Sequence, residues 1–183
     1  MAAGLVLCGC TGVAEEPAPP ASASPSPSAS PSASVPTPVK PERPAAMERD
    51  DAEGAAAAAE YFIELYPYVM ATGDVEEFEA LSHRACSYCR GTLENSAWLR
   101  DTGSTFQGGL TDAKLEKVYQ KDQLTGVIPL DFRTSQSEIW IHDKRGREVD
   151  HVDETDFDAR VEIGRRGGAW VVVEIAPDPE DER

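Results

Sequence analysis

The chain has 183 residues and carries 17 lysines and arginines against 33 aspartates and glutamates, a formal charge of −16. Residues 41–183 hold nearly all of it, with 16 basic against 31 acidic side chains. No basic patch remains to neutralise phosphates, which excludes nucleic acid, and an electrostatic grip on anionic head groups is excluded on the same ground.

The first element is residues 1–10. Ala2 to Leu7 are apolar, and Leu7, Cys8, Gly9 and Cys10 give an aliphatic residue, two small residues and a cysteine. This is the pattern of a lipoprotein signal, in which a transferase acylates the Cys10 thiol and a peptidase cuts ahead of it. Cys8 would leave with the signal. No Lys or Arg precedes Lys40, although a secretion signal begins with a cationic segment. The expectation is therefore a translation start upstream of Met1, or a trimmed chain. The alternative is a chance apolar N-terminus on a soluble protein. The lipid on Cys10 would hold the chain to the outer face of the cytoplasmic membrane, because more than one acyl chain gives stable anchoring. No later segment is long and apolar enough to span a bilayer.

Residues 11–44 read as a disordered tether rich in Pro, Ser and Ala. Ten of the fourteen prolines fall between 17 and 44, and almost no aliphatic side chain is present to offset the entropy of ordering. Extended at about 3.1 Å per residue, that stretch would reach on the order of 85 Å. Residues 45–177 then read as a single globular domain, and 178–183 as an acidic tail.

Within the domain, 50–72 predicts a long helix. Asp50 with Glu53 forms a capping box, and Ala55, Ala58, Phe62, Leu65, Tyr66 and Val69 share one face. Pro67 predicts a kink or break, and Gly73 a stop. Asp74 with Glu77 opens a short helix that buries Val75, Phe78 and Leu81. A third helix is expected from about 85 to 101, with Cys86, Cys89, Leu93 and Ala97 inward. After Gly103 the period changes to two. Ile128, Leu130 and Phe132 alternate, as do Ile139 and Ile141, and then Phe157, Ala159, Val161 and Ile163. Ala169 to Ile175 makes a final apolar strand. The last two strands predict a hairpin with a longish loop over 164–168, and 143–146 predicts a second turn. Helices followed by strands give an α+β fold, an antiparallel sheet with the helices on one face.

The segments EGAAAAAEYF, ATGD, LSHRACSYC and GGAW resemble actinobacterial lipoproteins of the domain-of-unknown-function family 6318, over roughly residues 41–175. The resemblance implies a lipobox, a tether and one small domain shaped like the cone of nuclear transport factor two or the cystatins, with a curved sheet wrapped against N-terminal helices. Pro67 departs from the pattern. The family name carries no activity.

Three readings compete for Cys86-Ser87-Tyr88-Cys89. A structural disulfide is favoured, since cysteine pairs close in an oxidising compartment. A redox pair would follow the first strand of a βαβ unit, and here helices precede it. A metal site on His83, Cys86 and Cys89 lacks a fourth ligand. Asp131 and the three histidines show no spacing that forces a catalytic dyad, so no catalytic residue, metal or cofactor is assigned. Asp150, Asp153, Glu154 and Asp156 lack the glycine and spacing of a calcium loop. Tyr61, Tyr66, Trp98, Trp140 and Trp170 are candidates to line a ligand pocket, with core packing as the alternative. The functional expectation is a non-enzymatic envelope lipoprotein that binds an unknown envelope protein or a small ligand. A cone-fold isomerase or dehydratase and an envelope thiol–disulfide protein are the alternatives.

Overall fold

The computed structural model describes residues 38–177. The lipobox with Cys10, the tether as far as residue 37 and the acidic end at 178–183 lie outside the described residues. Within the described part, the fold is α+β with the helices ahead of the strands. Helices α1 (Ala52–Thr72), α2 (Glu76–Ala80) and α3 (Ser87–Thr102) come first. Strands β1 (Thr105–Gly108), β2 (Thr111–Val118), β3 (Ile128–Gln136) and β4 (Ile139–His142) follow. Strands β5 (Glu148–Val152), β6 (Thr155–Arg166) and β7 (Ala169–Pro177) complete the chain.

Helix α1 is the centre of the core. Asp51, one residue beyond the expected cap, accepts the Gly54 N–H at 3.2 Å, which satisfies a donor that a helix start leaves open. Gly73, at φ 73°, ends the helix in a left-handed C-cap. The expected break at Pro67 does not occur, and the helix runs unbroken through it. Pro67 is buried; packing on both sides of the helix outweighs the one backbone hydrogen bond that proline removes. Ala55, Ala58, Phe62, Leu65 and Val69 are all at most 1 % exposed. They meet Leu130, Phe132, Val161, Ile163 and Val172 in the main core.

The expected single sheet is two antiparallel sheets, ordered β2-β3-β6-β7 and β1-β4-β5. Their registers show why. β1 runs into β2, β3 into β4, and β5 into β6, and each junction is two residues long. The structure is one antiparallel meander folded along a common line. At that line Gly108 and Gly109 have φ of 79° and 67°. The Gly109 N–H donates to the Glu138 carbonyl, and the Ser137 N–H donates to the Leu110 carbonyl, each at 2.9 Å. The backbone groups freed by the bend thus find partners across it.

The expected strands at 128–132, 139–141, 157–163 and 169–175 are present, while β1, β2 and β5 are additional. The final hairpin turns on Gly167-Gly168 alone, both at positive φ (62° and 88°), which is tighter than the loop expected and suits a primed two-residue turn. Residues 38–44, expected within the tether, pack on the domain. Lys40 and Arg43 both pair with Glu77, at 2.9 and 3.0 Å, and Pro38 is buried.

A Cβ added at Gly108 would run into the Glu138 carbonyl, on a backbone that only glycine adopts readily. Gly108→Ala is therefore expected to destabilise the domain by at least about 1 kcal/mol, read as a fall in the thermal midpoint. An unchanged midpoint would show that the fold line does not depend on this glycine.

Candidate functional site

The bend leaves the two halves of the meander unequally covered. The four-stranded half packs its inner face on α1. The three-stranded half meets only the C-terminal turns of α1 and α3, through Met70, Leu99, Phe106 and Ile139. Beyond that contact lies an open groove of about 960 Å³ between α3 and β5. Its floor is Tyr66, Met70, Leu99, Phe106, Ile139 and Ile141, with Tyr66 edge-on to Phe106 at 6.0 Å between ring centres. Trp98 from α3 forms one wall, and Val149 and Val152 from β5 form the other. These three are 49 %, 51 % and 43 % exposed, unusually open for large apolar side chains that share a concave surface.

Val149 reaches the groove because of a β-bulge. Ile141 pairs with Asp150 and His142 with Glu148, so Val149 is the extra residue on its strand, and bulges re-aim side chains in this way. One end of the groove is cationic. The β4–β5 turn is built on Asp143, which accepts the Arg145 and Arg147 N–H groups at 2.8 and 3.0 Å and the Arg147 guanidinium at 2.6 Å. Those bonds, the Arg147 N–H foremost, hold the Asp143 carboxyl below its ordinary range. Lys144 and Arg145 are left exposed at the tip, without an ion pair among the described residues.

The five candidate aromatics divide into two populations. Tyr66 and Trp98 line the groove. Tyr61, 1 % exposed on α1, belongs to the core and not to a pocket. Trp170 is likewise buried; its Nε1 donates to the Arg49 carbonyl at 3.0 Å, and the Arg165 guanidinium lies 4.8 Å from its ring. It fastens the start of α1 to the last hairpin. Trp140 points to the other face of its sheet, stacked on His151 at 3.6 Å.

Cys86 and Cys89 form a disulfide at the start of α3. Cys86 is the N-cap residue, and its Sγ accepts the Cys89 N–H at 3.0 Å. Both cysteines are 1 % exposed, the environment of a structural pair and not of an attacking thiol. The remaining donors of the helix start go to Glu174 of β7. Its carboxylate accepts the Ser87 N–H at 2.9 Å, the Ser87 hydroxyl at 2.6 Å and the Tyr88 N–H at 3.2 Å. Burial pushes the Glu174 carboxyl up, but these donors outweigh it and hold the group below its ordinary 4.5. Negative charge at a helix N-terminus is favourable for the same reason.

Asp131 lies on the outer sheet face, away from the helices. The Arg160 guanidinium bonds both its oxygens, at 2.7 and 3.0 Å, and the Tyr119 hydroxyl donates to it at 2.8 Å. Burial works against the ionised form, but Arg160 and Tyr119 keep the carboxyl below its ordinary range. This carboxylate is committed to structure. Between α1 and the inner sheet face there is a crevice of only about 40 Å³, and the buried Thr134 hydroxyl on it has no partner. Among the described residues no three His, Cys, Asp or Glu side chains converge as a metal site would require.

Residues 22–176 match the family of unknown function DUF6318, and the chain belongs to that family. No curated protein matches it. Among solved structures, the intermembrane space region of the chloroplast protein ARC6 is similar, with a TM-score of 0.50 at 13 % identity. The likeness covers 70 % of this chain and 97 % of that one, and it is a likeness of fold alone.

Glu174 gives a pH dependence of known sign. A carboxyl whose pKa is lowered by folding contributes stability above its unfolded pKa, and that stability is lost as pH falls through the folded value. Unfolding free energy should therefore decline below the ordinary glutamate value of 4.5, and Glu174→Gln should flatten that decline. Denaturant titrations of both proteins across acid pH test this; an equal slope in the variant would remove Glu174 from the helix cap.

Proposed function

We propose that this protein is an extracytoplasmic lipoprotein whose folded domain binds an envelope protein or a small ligand in the α3–β5 groove, without catalysing a reaction. In this reading lipid on Cys10 holds the chain at the outer face of the cytoplasmic membrane. The residues between Cys10 and Pro38 separate that anchor from the domain. We read the bent meander around α1 as a cone of the nuclear-transport-factor-two type; its support is that four long strands wrap a single helix.

The observation that carries the binding role is the groove itself. It is apolar on its floor, open to solvent, and walled by Trp98, a residue type that concentrates binding energy at interfaces. The closed Cys86–Cys89 pair supports an oxidising compartment. Against a catalytic role stands Asp131, whose two oxygens are both bound by Arg160.

Photo-crosslinking in a native envelope tests the reading. A benzoylphenylalanine at Val149 of the full chain should give discrete cross-linked products, whereas the same group at exposed Lys114 of β2 should not. Trp98→Ala should remove the products, and Cys10→Ser should both release the chain from membranes and remove them. Identical products from both positions, or products indifferent to Trp98, would contradict the binding role of the groove. A Cys10→Ser chain that stays membrane-bound would contradict the anchor.

A further inference from the structure

In a step that rests on the groove being a binding surface, we propose that its partner is a second copy of this chain, with the two β5 strands lying antiparallel across a two-fold axis.

The first support is the strand edge. β5 pairs with β4 on one side only, and an unpaired edge is a template for another strand. The His151 N–H is not used by β4; the carboxylate of the adjacent Asp150 accepts it at 2.9 Å. A donor on the open edge is thus closed by a neighbouring side chain, which an incoming carbonyl can replace. Antiparallel pairing here would join two three-stranded sheets into one. It would also bring Trp98, Val149 and Val152 of the two copies together over the joined grooves.

The second support is the order of charge along that edge. Residues 144–156 read KRGREVDHVDETD. Lys144, Arg145 and Arg147 precede the strand, and Asp153, Glu154 and Asp156 follow it, all of them exposed. A strand that is cationic at one end and anionic at the other is self-complementary only when two copies run antiparallel. Each basic tip then faces the other copy's acidic bend, as an isologous interface requires. A parallel arrangement would set like charges side by side. The chain's net charge opposes self-association, but at physiological salt it is screened beyond roughly 8 Å, so these local groups decide.

The third support is the wall chemistry. Asn95, Thr102, Ser104 and Asp150 line the groove beside its apolar floor. An acyl chain offers such groups no hydrogen-bond partners, whereas a second polypeptide does.

Charge exchange on the full chain tests the proposal by sedimentation. One variant, Lys144→Glu with Arg145→Glu, has an acidic tip and an acidic bend. The other, Asp153→Lys with Glu154→Lys, has a basic tip and a basic bend. The unaltered chain should dimerise. Each variant alone should associate at least about tenfold more weakly, a difference of about 1.4 kcal/mol. An equimolar mixture should recover a dimer containing one copy of each, because both contacts are then opposite in sign. Recovery on mixing would also show that each variant is folded. The proposal is overturned by an unaltered chain that stays monomeric, by variants that dimerise alone as well as the parent, or by a mixture that recovers nothing. If the Val149 cross-link still depends on Trp98 in such a monomer, the groove serves a different protein or a small ligand, and only the second copy is removed.

Discussion

Gly108 has no room for a side chain, because the Glu138 carbonyl occupies the place where a Cβ would stand. That close approach is the hinge of the domain. Strand β1 leaves β2 there, β4 leaves β3 at Ser137-Glu138, and β5 leaves β6 at Asp153-Glu154. The three departures are in register because antiparallel pairing transmits a bend from one strand to the next. The cross-line bonds from Gly109 and Ser137 keep the backbone satisfied while the sheet changes direction. A flat sheet of the same strands would leave half of its apolar face far from α1. The bend brings the four-stranded half onto one side of that helix and the three-stranded half onto its C-terminal end.

Two helices cannot cover both halves completely. α1 and α3 close the four-stranded face and only begin the second face, through Met70, Leu99 and Phe106. The groove is what remains uncovered, and its position is fixed by the N-terminal anchoring of α3. The Cys86–Cys89 disulfide closes the first turn of α3 on itself, Glu174 holds that turn to β7, and the buried Ser96 hydroxyl donates to the Val69 carbonyl at 3.2 Å midway along. Trp98 therefore sits on a helix held at its start by Glu174 and midway by the Ser96–Val69 bond. The bulge at Val149 turns one more apolar side chain into the groove, beside Val152 of the same strand.

Much of this arrangement was legible from residue spacing. The apolar face of α1, the four apolar strands and the turn at 143–146 follow from periods that burial enforces. What escaped is what burial does not mark. β2 buries little beyond Ala113, and β5 has the composition of a solvent-facing edge, so neither alternates clearly. The inward face of α3 was expected to run through Leu93 and Ala97; Leu93 does pack half-buried against the core, while Thr92 and Ser96 are the fully buried residues there. A serine that finds a carbonyl on a neighbouring helix costs little to bury, and sequence does not reveal that carbonyl. The groove was partly visible, since Trp98 and Tyr66 stood among the aromatic candidates. Nothing in spacing separates them from Tyr61 and Trp170, because the difference lies in which half of a folded sheet each one faces. The one local signal was the pairing of glycines at 108–109, which marks a bend without giving its direction.

In the function proposed above, the uncovered half of the meander is a surface held for a partner. Backbone hydrogen exchange measures this directly, because an open strand edge exchanges readily and a covered one does not. In the dilute isolated chain the amides of Val149 to Val152 should exchange far faster than those of β3 and β6. In native membranes carrying the full chain, protection should appear at Val149 to Val152 and along the Trp98 turn of α3, with β3 and β6 unchanged. Equal, rapid exchange at β5 in both settings would mean that nothing occupies the groove where the protein works, and would contradict the claim.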